Sequence, residues 1–160
     1  MQLSRNFKLQ EFVPKATFEK YGENAKWYIT QTIVDIAQEM ADILEEIYPN
    51  SYIVINNWHS GGNRQYSGYR PPNIDSTNKK INFPGAFESQ HKFGRAIDIQ
   101  CFKQGGVQIP SSEINKIIFD NEKRLMSKGL TTVENFADTN GWNHLDTRLT
   151  DLPNILVVNP

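Results

Sequence analysis

Hydrophobic residues recur at helical spacing along one long segment in the first third of the chain. The segment runs from about residue 23 to residue 48, and acidic residues such as Glu39 and Asp42 fall between its apolar positions. Pro49 and Asn50 follow it and supply a signal that ends a helix. The pattern predicts a long amphipathic helix with one buried face. Its apolar positions are Ile29, Ile33, Ile36, Ala37, Met40, Ile43, Leu44 and Ile47.

Shorter hydrophobic runs predict strands, because they are β-branched and bounded by turn residues. A second helix is predicted from Pro110 to about residue 127, opened by N-cap chemistry and ended by Gly129. Residues 58–90 are rich in Gly, Asn, Ser and Pro and predict long loops, which in compact domains are usually functional or flexible. These elements predict one α+β domain over residues 1–160. The predicted strands lie at residues 52–56, 95–102, 131–134, 142–147 and 155–158.

Composition narrows the class of protein. A chain of 160 residues suits one domain with its own core. The net charge of −1 gives no basic footprint, so nucleic acid is not an expected partner. Cys101 is the only cysteine, which excludes an internal disulfide framework and favours a buried small hydrophobe. The first residues lack the apolar core of a signal peptide and no stretch is long enough to span a bilayer, so neither a signal peptide nor membrane insertion is predicted.

Three polar residues are predicted to meet above the sheet, two of them placed by the alternation of side chains along the predicted strands. Asp98 lies on the face of its strand opposite the core, and His144 lies on the corresponding face of the later strand. His91 lies in the turn that enters the first of these strands, where Gly94 lets the backbone bend. The predicted core-facing positions are Ile97, Ile99, Cys101 and Leu145, and the positions on the opposite face are Ala96, Asp98, Gln100, Trp142, His144 and Asp146.

Two imidazoles and one carboxylate form the ligand set of a catalytic zinc site, which keeps a fourth position open. Such a site activates water as a nucleophile, so the pattern favours a hydrolase with His91, Asp98 and His144 as metal ligands. Spacing alone also allows an ordinary alternative, in which these side chains are surface or cap residues.

Residues 89–98 have the sequence SQHKFGRAID, and residues 142–146 have the sequence WNHLD. These segments resemble the motifs S-x-H-x-x-G-x-A-x-D and W-x-H of the D-alanyl-D-alanine metallopeptidases. This zinc family includes vancomycin-resistance dipeptidases and carboxypeptidases and several bacteriophage endolysins. Residues 67–72 (SGYRPP) and 7–12 (FKLQEF) are similar to further segments of the family, with Pro71 in place of its usual hydroxyl residue.

The resemblance implies a role for each matched position. His91, Asp98 and His144 correspond to the zinc ligands. Arg70 corresponds to an arginine near the metal, where a guanidinium can stabilise an oxyanion. Ser89 corresponds to a small polar residue on the substrate side. Asp146 is expected to support a ligand from behind or to tie its strand to neighbouring residues.

The family pattern breaks at the general base. The family usually has Glu or Asp three residues before the second histidine, and this chain has Gly141 there. Glu134 is one candidate replacement, because its strand is expected to pair with the strand of His144. It is preferred because residues 131–134 (TTVE) resemble the T-x-x-E segment that precedes W-x-H-x-D in small phage-type members of the family. Asp138, in the connecting loop, is a second candidate. A third possibility is that the site binds without cutting.

Several aromatic residues in the loops are candidates for a substrate groove, although minor-core packing is an equally good explanation. Tyr69 and Trp142 are the two selected as substrate-binding residues. His59 is a weaker candidate for the site, since an isolated loop histidine carries little signal. The other aromatic candidates are Trp58, Tyr66 and Phe87.

The resemblance implies the fold shared by these peptidases and the hedgehog signalling domain: a small antiparallel sheet that carries the metal, covered by helices on its other side. The expected function is zinc-dependent hydrolysis of a peptide bond in bacterial peptidoglycan by a phage endolysin or a virion-associated protein. The expected partner is the cell wall, reached from the host cytoplasm or from the virion, and the expected state is a monomer outside a virion. A non-catalytic metal-binding or wall-binding module and a zinc hydrolase of other specificity remain alternatives.

Overall fold

In a computed structural model of the protein, helices pack against one face of a small β-sheet, and the predicted α+β class is confirmed. The structure describes residues 1–74, 81–82 and 89–159. Its helices are α1 (Lys15–Tyr21), α2 (Gln31–Ile47), α3 (Ser111–Asp120) and α4 (Glu122–Ser127). Its strands are β1 (Tyr52–Val54), β2 (Asn73–Ile74), β3 (Ile81–Asn82), β4 (Ala96–Phe102), β5 (Thr132–Glu134), β6 (Asn143–Asp146) and β7 (Leu156–Val158).

Five of these strands form the main sheet, in the order β1-β4-β6-β5-β7. The first three neighbouring pairs are antiparallel, but β5 and β7 are parallel. The sheet is therefore mixed, and the prediction of a wholly antiparallel sheet is wrong at this edge. Residues 147–155 carry the chain back across the end of the sheet, so that β7 enters beside β5 in the same direction. Strands β2 and β3 form a separate antiparallel pair.

The long helix α2 is confirmed, but it begins at Gln31, later than predicted. Residues Gly22–Tyr28 form a 3-10 helix instead, and Thr30 is the N-cap of α2, with its side-chain oxygen accepting a hydrogen bond from the Ile33 amide. Since an N-cap residue has extended backbone angles, Thr30 separates the two helical segments. The apolar spacing continues across this break, which is why the sequence pattern extends too far.

The second predicted helix is two helices. Asn121 separates α3 from α4, and its side-chain amide donates to the Ile117 carbonyl at 2.9 Å. The predicted N-cap chemistry is absent as well, because the cap residue is Pro110, whose side chain cannot accept a hydrogen bond from the first turn.

The core lies between α2 and the sheet. The helix buries Ile33, Val34, Ile36, Ala37, Met40, Ile43 and Leu44, and the sheet contributes Ile97, Ile99, Cys101, Val133 and Leu145. Burying one large aliphatic side chain stabilises a fold by about 1.5–3 kcal/mol relative to leaving it exposed. This packing fixes which face of β4 and β6 is apolar, as predicted, and leaves the alternate side chains to the opposite face.

Within the described residues, no helix combines the length and apolar character that a bilayer crossing requires. The predicted loop region 58–90 contains the 3-10 helix Trp58–Ser60 and strands β2 and β3. Residues 75–80 and 83–88, and with them Phe87, lie outside the described residues.

Candidate metal centre

Strands β4 and β6 place Asp98 directly opposite His144. The His144 Nδ1 atom lies 2.9 Å from the Asp98 Oδ1 atom, and both side chains are buried. The prediction that these two residues stand side by side on the non-core face is confirmed. The Asp98 backbone is held as well, since its amide donates to the Ser67 carbonyl at 2.7 Å and its carbonyl accepts from Arg64 Nη2 at 3.1 Å.

His91 reaches the same point from a short 3-10 helix, Gln90–Phe93, which is joined to β4 by Gly94 and Arg95. Its Nε2 atom lies 3.2 Å from Asp98 Oδ1 and 3.2 Å from His144 Nδ1. Its Nδ1 atom donates to the Gly68 carbonyl at 2.7 Å. A carbonyl can only accept, so Nδ1 carries the proton and the neutral ring keeps its lone pair on Nε2, towards the centre.

His144 is also oriented by a partner on its outer nitrogen, but in this ring the outer nitrogen is Nε2 and the inner one is Nδ1. Its Nε2 atom lies 3.1 Å from the Asp146 carboxylate, which leaves Nδ1 facing Asp98 and His91. Asp146 is itself fully buried and accepts hydrogen bonds from the Arg148 side chain. A carboxylate behind a histidine is the usual support of a metal-ligating imidazole. Asp146 therefore lies where the sequence analysis expected a supporting residue.

Burial and charge act in opposite directions on the three central groups. Burial opposes ionisation of Asp98, but His91 and His144 outweigh it and hold the pKa of this carboxyl well below its usual range. Burial lowers the pKa of His91, and Asp98 offsets this only in part. For His144 burial again lowers the pKa, but hydrogen bonds to Asp146 and Asp98 prevail and raise it to about 9. At neutral pH Asp98 is thus an anion facing the neutral ring of His91 and the protonated ring of His144.

These three buried side chains form a group that can hold a metal ion. One ligand atom from each of His91, Asp98 and His144 lies within 4.8 Å of the other two. The donor chemistry fits such a role, because the carboxylate is ionised and each ring has one nitrogen directed inward by a partner on its outer nitrogen.

The three residues lie at the bottom of a pocket of about 360 Å³. Its other walls come from the loop of Arg70, the residues that precede His91, strand β5, the residues on either side of β6, and the end of β7. Its lining residues are Arg70, Ser89, Gln90, His91, Asp98, Glu134, Trp142, His144, Arg148, Val158 and Asn159.

Arg70 and Glu134 both reach this pocket, as the sequence analysis expects. Arg70 Nη2 donates to Asp98 Oδ2 at 2.6 Å, while its Nε atom donates to the Tyr66 carbonyl. Glu134 lies one position beyond the Val133–Leu145 pair of β5 and β6, and its Oε1 atom is 3.8 Å from His144 Nδ1. Ser89 and Trp142 also line the pocket.

Asp138 does not line the pocket. Its carboxylate accepts a hydrogen bond from the Asn135 side chain at 2.9 Å and stays within the loop between β5 and β6. The alternative in which Asp138 folds back over the metal ligands is therefore not supported. Gly141, at the position of the family's base, has φ of 86°, a left-handed conformation that L-residues rarely adopt, and its carbonyl accepts from the Gln108 side chain.

Tyr69 is a correction to the expected substrate-binding set. It is 7% exposed and stacks on Tyr28, with ring centroids 5.0 Å apart, in a second core cluster away from the pocket.

Trp58, His59 and Tyr66 do not line the pocket either. Trp58 donates its indole N–H to the Val13 carbonyl at 2.9 Å and packs edge-on against His59. Tyr66 contributes its backbone carbonyl to Arg70 but does not line the pocket formed by the described residues. Cys101 is buried in the core, as predicted, and burial raises the pKa of its thiol.

Sequence reasoning missed several residues that build the site. Arg148 lines the pocket and contacts Asp146, Gln90 lines the pocket beside His91, and the Gly68 carbonyl orients His91. Gly68 belongs to the segment SGYRPP (residues 67–72), but its role as a hydrogen-bond acceptor depends on how the loops pack. For Arg148 the sequence did contain a signal, since it lies two positions after Asp146 and four after His144, just beyond the end of β6.

Models of known protein families, curated proteins and solved structures were compared with this chain, and none of them matches it.

Proposed function

We propose that this protein is a zinc-dependent peptidase that hydrolyses a peptide bond of bacterial peptidoglycan, as a D,D-carboxypeptidase or an endopeptidase. One observation carries the proposal: the motif residues His91, Asp98 and His144 present three inward-directed donor atoms at mutual distances of 2.9, 3.2 and 3.2 Å. Ligand atoms around a tetrahedral zinc ion lie about 3.4 Å apart. The donor set therefore fits zinc after small adjustments.

His91 Nε2, Asp98 Oδ1 and His144 Nδ1 would hold the metal. When bound, zinc would act as a Lewis acid that polarises a carbonyl and lowers the pKa of water towards neutrality. Two nitrogens and one carboxylate oxygen also match the ligands found in catalytic rather than structural zinc sites.

Glu134 would act as the general base and acid. Its carboxylate lines the pocket and lies 3.8 Å from a ligand nitrogen, on a strand rather than in a loop. A carboxylate in that place can take a proton from the attacking water and return it to the leaving amine. This assignment replaces the carboxylate that the family usually has at the position of Gly141.

Arg70 would bind the scissile carbonyl and stabilise the charge that develops on its oxygen. Its Nη2 group already lies 2.6 Å from Asp98, which places a guanidinium at the edge of the ligand set. Preorganised cationic donors of this kind stabilise an oxyanion without reorganisation during the reaction.

Peptidoglycan as substrate rests on the resemblance of residues 89–98, 142–146 and 67–72 to the D-alanyl-D-alanine metallopeptidases. A phage endolysin or virion-associated wall hydrolase is the form of this activity that we propose. An endolysin of this kind is made in the host cytoplasm and reaches the wall through a membrane pore.

A second candidate is a module that binds metal or wall peptide without turnover. Gly141 favours it, because this position has no side chain to serve as a base. The two candidates share the metal ligands and differ in whether Glu134 transfers protons.

Digestion of purified peptidoglycan by zinc-loaded protein, with mass spectrometry of the soluble products, tests the proposal. The matched control is His144→Ala, which removes one ligand. Products that are absent from the control would establish a wall peptidase, and their masses would identify the bond. Release of no peptide by a protein that holds one zinc ion per chain would overturn the proposal and favour the binding module.

A further inference from the structure

The pocket contains a second arginine that the proposed chemistry does not use. Arg148 follows β6, lines the same pocket as the metal ligands, and keeps 33% of its side chain exposed. Arginine binds a carboxylate through two parallel N–H donors. The N–H groups that are not already hydrogen-bonded within the protein therefore determine what else Arg148 can bind.

One edge of the Arg148 guanidinium is occupied. Its Nε atom lies 3.1 and 3.0 Å from the two Asp146 oxygens, and its Nη2 atom lies 2.5 Å from Asp146 Oδ2. This bidentate contact with a fully buried carboxylate fixes the plane of the guanidinium. Hydrogen bonding to Asp146 also raises the pKa of Arg148, so the group stays charged.

The opposite edge remains available. Among residues 1–74, 81–82 and 89–159, the Nη1 group and the second hydrogen of Nη2 have no hydrogen-bond partner. These donors form the end-on fork that matches a second carboxylate. A guanidinium held on one edge and open on the other is preorganised, so a ligand would lose little side-chain entropy on binding.

The charge of the pocket favours the same class of ligand. Its walls carry two guanidinium groups, Arg70 and Arg148, against two carboxylates, Asp98 and Glu134. A divalent ion held by the three ligands would make the pocket net positive. A positive, partly enclosed pocket concentrates anionic groups.

We infer that Arg148 is a substrate-binding residue that receives a free carboxylate of the wall peptide on its Nη1/Nη2 edge. The kind of substrate in this inference rests on the proposed function. The two arginines then have different roles. Arg70 serves the bond that is cut, and Arg148 selects peptides with a free carboxylate near that bond. Stem peptides offer two such groups, the terminal carboxylate and the α-carboxylate of D-glutamate.

The test uses the N-acetylated peptide L-Ala-γ-D-Glu-L-Lys-D-Ala-D-Ala, whose γ linkage leaves the D-glutamate α-carboxylate free, and two analogues, each with one of these carboxylates converted to an amide. Affinities are measured by calorimetry on zinc-loaded protein carrying Glu134→Gln, so that no peptide is cut. The expected result is that one amide binds about tenfold or more weakly than the free acid, as for the loss of a charged hydrogen-bonded pair. Adding Arg148→Gln should bring that acid-to-amide ratio close to one.

A merely structural role through Asp146 would have a different signature. Arg148→Gln would then weaken all three peptides equally and leave the ratio unchanged, which would overturn the inference. An acid-to-amide ratio of one in the protein that keeps Arg148 would overturn it too. Zinc content is measured for every variant. Arg148→Lys, which retains a donor for Asp146, serves if the glutamine variant loses zinc, and it should give an intermediate ratio because lysine has no fork.

Hydrolysis by the protein without these substitutions separates the two proposals. If it digests peptidoglycan but shows no dependence on Arg148, only the present inference fails. If it digests nothing yet binds the acid through Arg148, the peptidase proposal fails and the carboxylate site stands.

Discussion

At the scale of single residues, the candidate centre depends on which nitrogen of each histidine faces inward. The Gly68 carbonyl fixes His91 with Nε2 inward, and the Asp146 carboxylate fixes His144 with Nδ1 inward. The two rings have different partners because His91 precedes β4 and meets a neighbouring loop, whereas His144 shares a strand face with Asp146. In the proposed zinc site, each outer partner would therefore contribute to metal affinity without touching the metal.

The first prediction concerns Asp146. Replacing Asp146 with Asn keeps the shape but removes the charge that orients and polarises His144, so zinc affinity should fall about 10–100-fold. Competition with a chromophoric chelator measures this directly. Asp138→Asn is the matched control, because Asp138 lies outside the pocket and its change should leave zinc affinity intact. Equal affinity in wild type and Asp146→Asn would contradict the supporting role.

The second prediction concerns Glu134. Glu134→Gln should lower the rate of wall-peptide hydrolysis about 10²–10⁴-fold, the range supplied by general acid–base catalysis, while one zinc ion per chain is retained. Asp138→Asn again serves as the control and should keep its activity. If the activities of the two variants were reversed, the assignment of the base would be wrong.

At the scale of elements, glycines let loops come close enough to support the ligands. Gly94 ends the 3-10 helix of His91 with φ of 63°, and a Cβ atom there would overlap the Tyr28 carbonyl. Gly68, which supplies the acceptor for His91, would similarly overlap the Phe12 carbonyl if it had a side chain. Close backbone approach is thus a condition for placing His91 over β4.

The third prediction compares two glycines. Gly94→Ala should lower the free energy of unfolding by about 3 kcal/mol or more, since strain and steric overlap both act. Gly61→Ala is the control: Gly61 also has a left-handed backbone, with φ of 94°, but no atom of the residues that the structure describes lies within 4 Å of a Cβ atom there. Its cost should be about 1–2 kcal/mol, the backbone term alone. Urea unfolding measures both, and equal losses would contradict the importance of the close approach.

The sequence predicts the strands of the site well and its loops poorly, for a physical reason. The period of two along β4 and β6 determines which side chains face the core, so the pairing of Asp98 with His144 follows from the pattern. The positions of Tyr69, Asp138 and Arg148 depend on how loops pack over the sheet, and no local periodicity encodes that. The early start predicted for α2 has a similar cause, because apolar spacing continues through the cap at Thr30.

At the scale of the whole molecule, the centre unites segments that are far apart in the chain. The Gly68 acceptor, His91, Asp98 and His144 lie on different loops and strands and meet only when the sheet has formed. The unfolded chain has no comparable arrangement, so metal binding and folding should be thermodynamically linked.

The fourth prediction follows from that linkage. Free zinc at about 1,000 times its dissociation constant should stabilise the protein by about 4 kcal/mol and raise the melting temperature by about 10 °C. Differential scanning calorimetry with and without zinc measures the shift. Asp98→Ala should lose the zinc-dependent part, and a shift of the same size in that variant would show that the stabilising zinc binds elsewhere.

The most direct measurement of the central claim is the zinc content of the purified protein after loading and dialysis, compared with the single variants His91→Ala, Asp98→Ala and His144→Ala. The predicted result is one zinc ion per chain in the wild type and strongly reduced zinc in each variant that remains folded. Wild-type protein without zinc, or full zinc retention in all three variants, would contradict the assignment of this group as the metal centre.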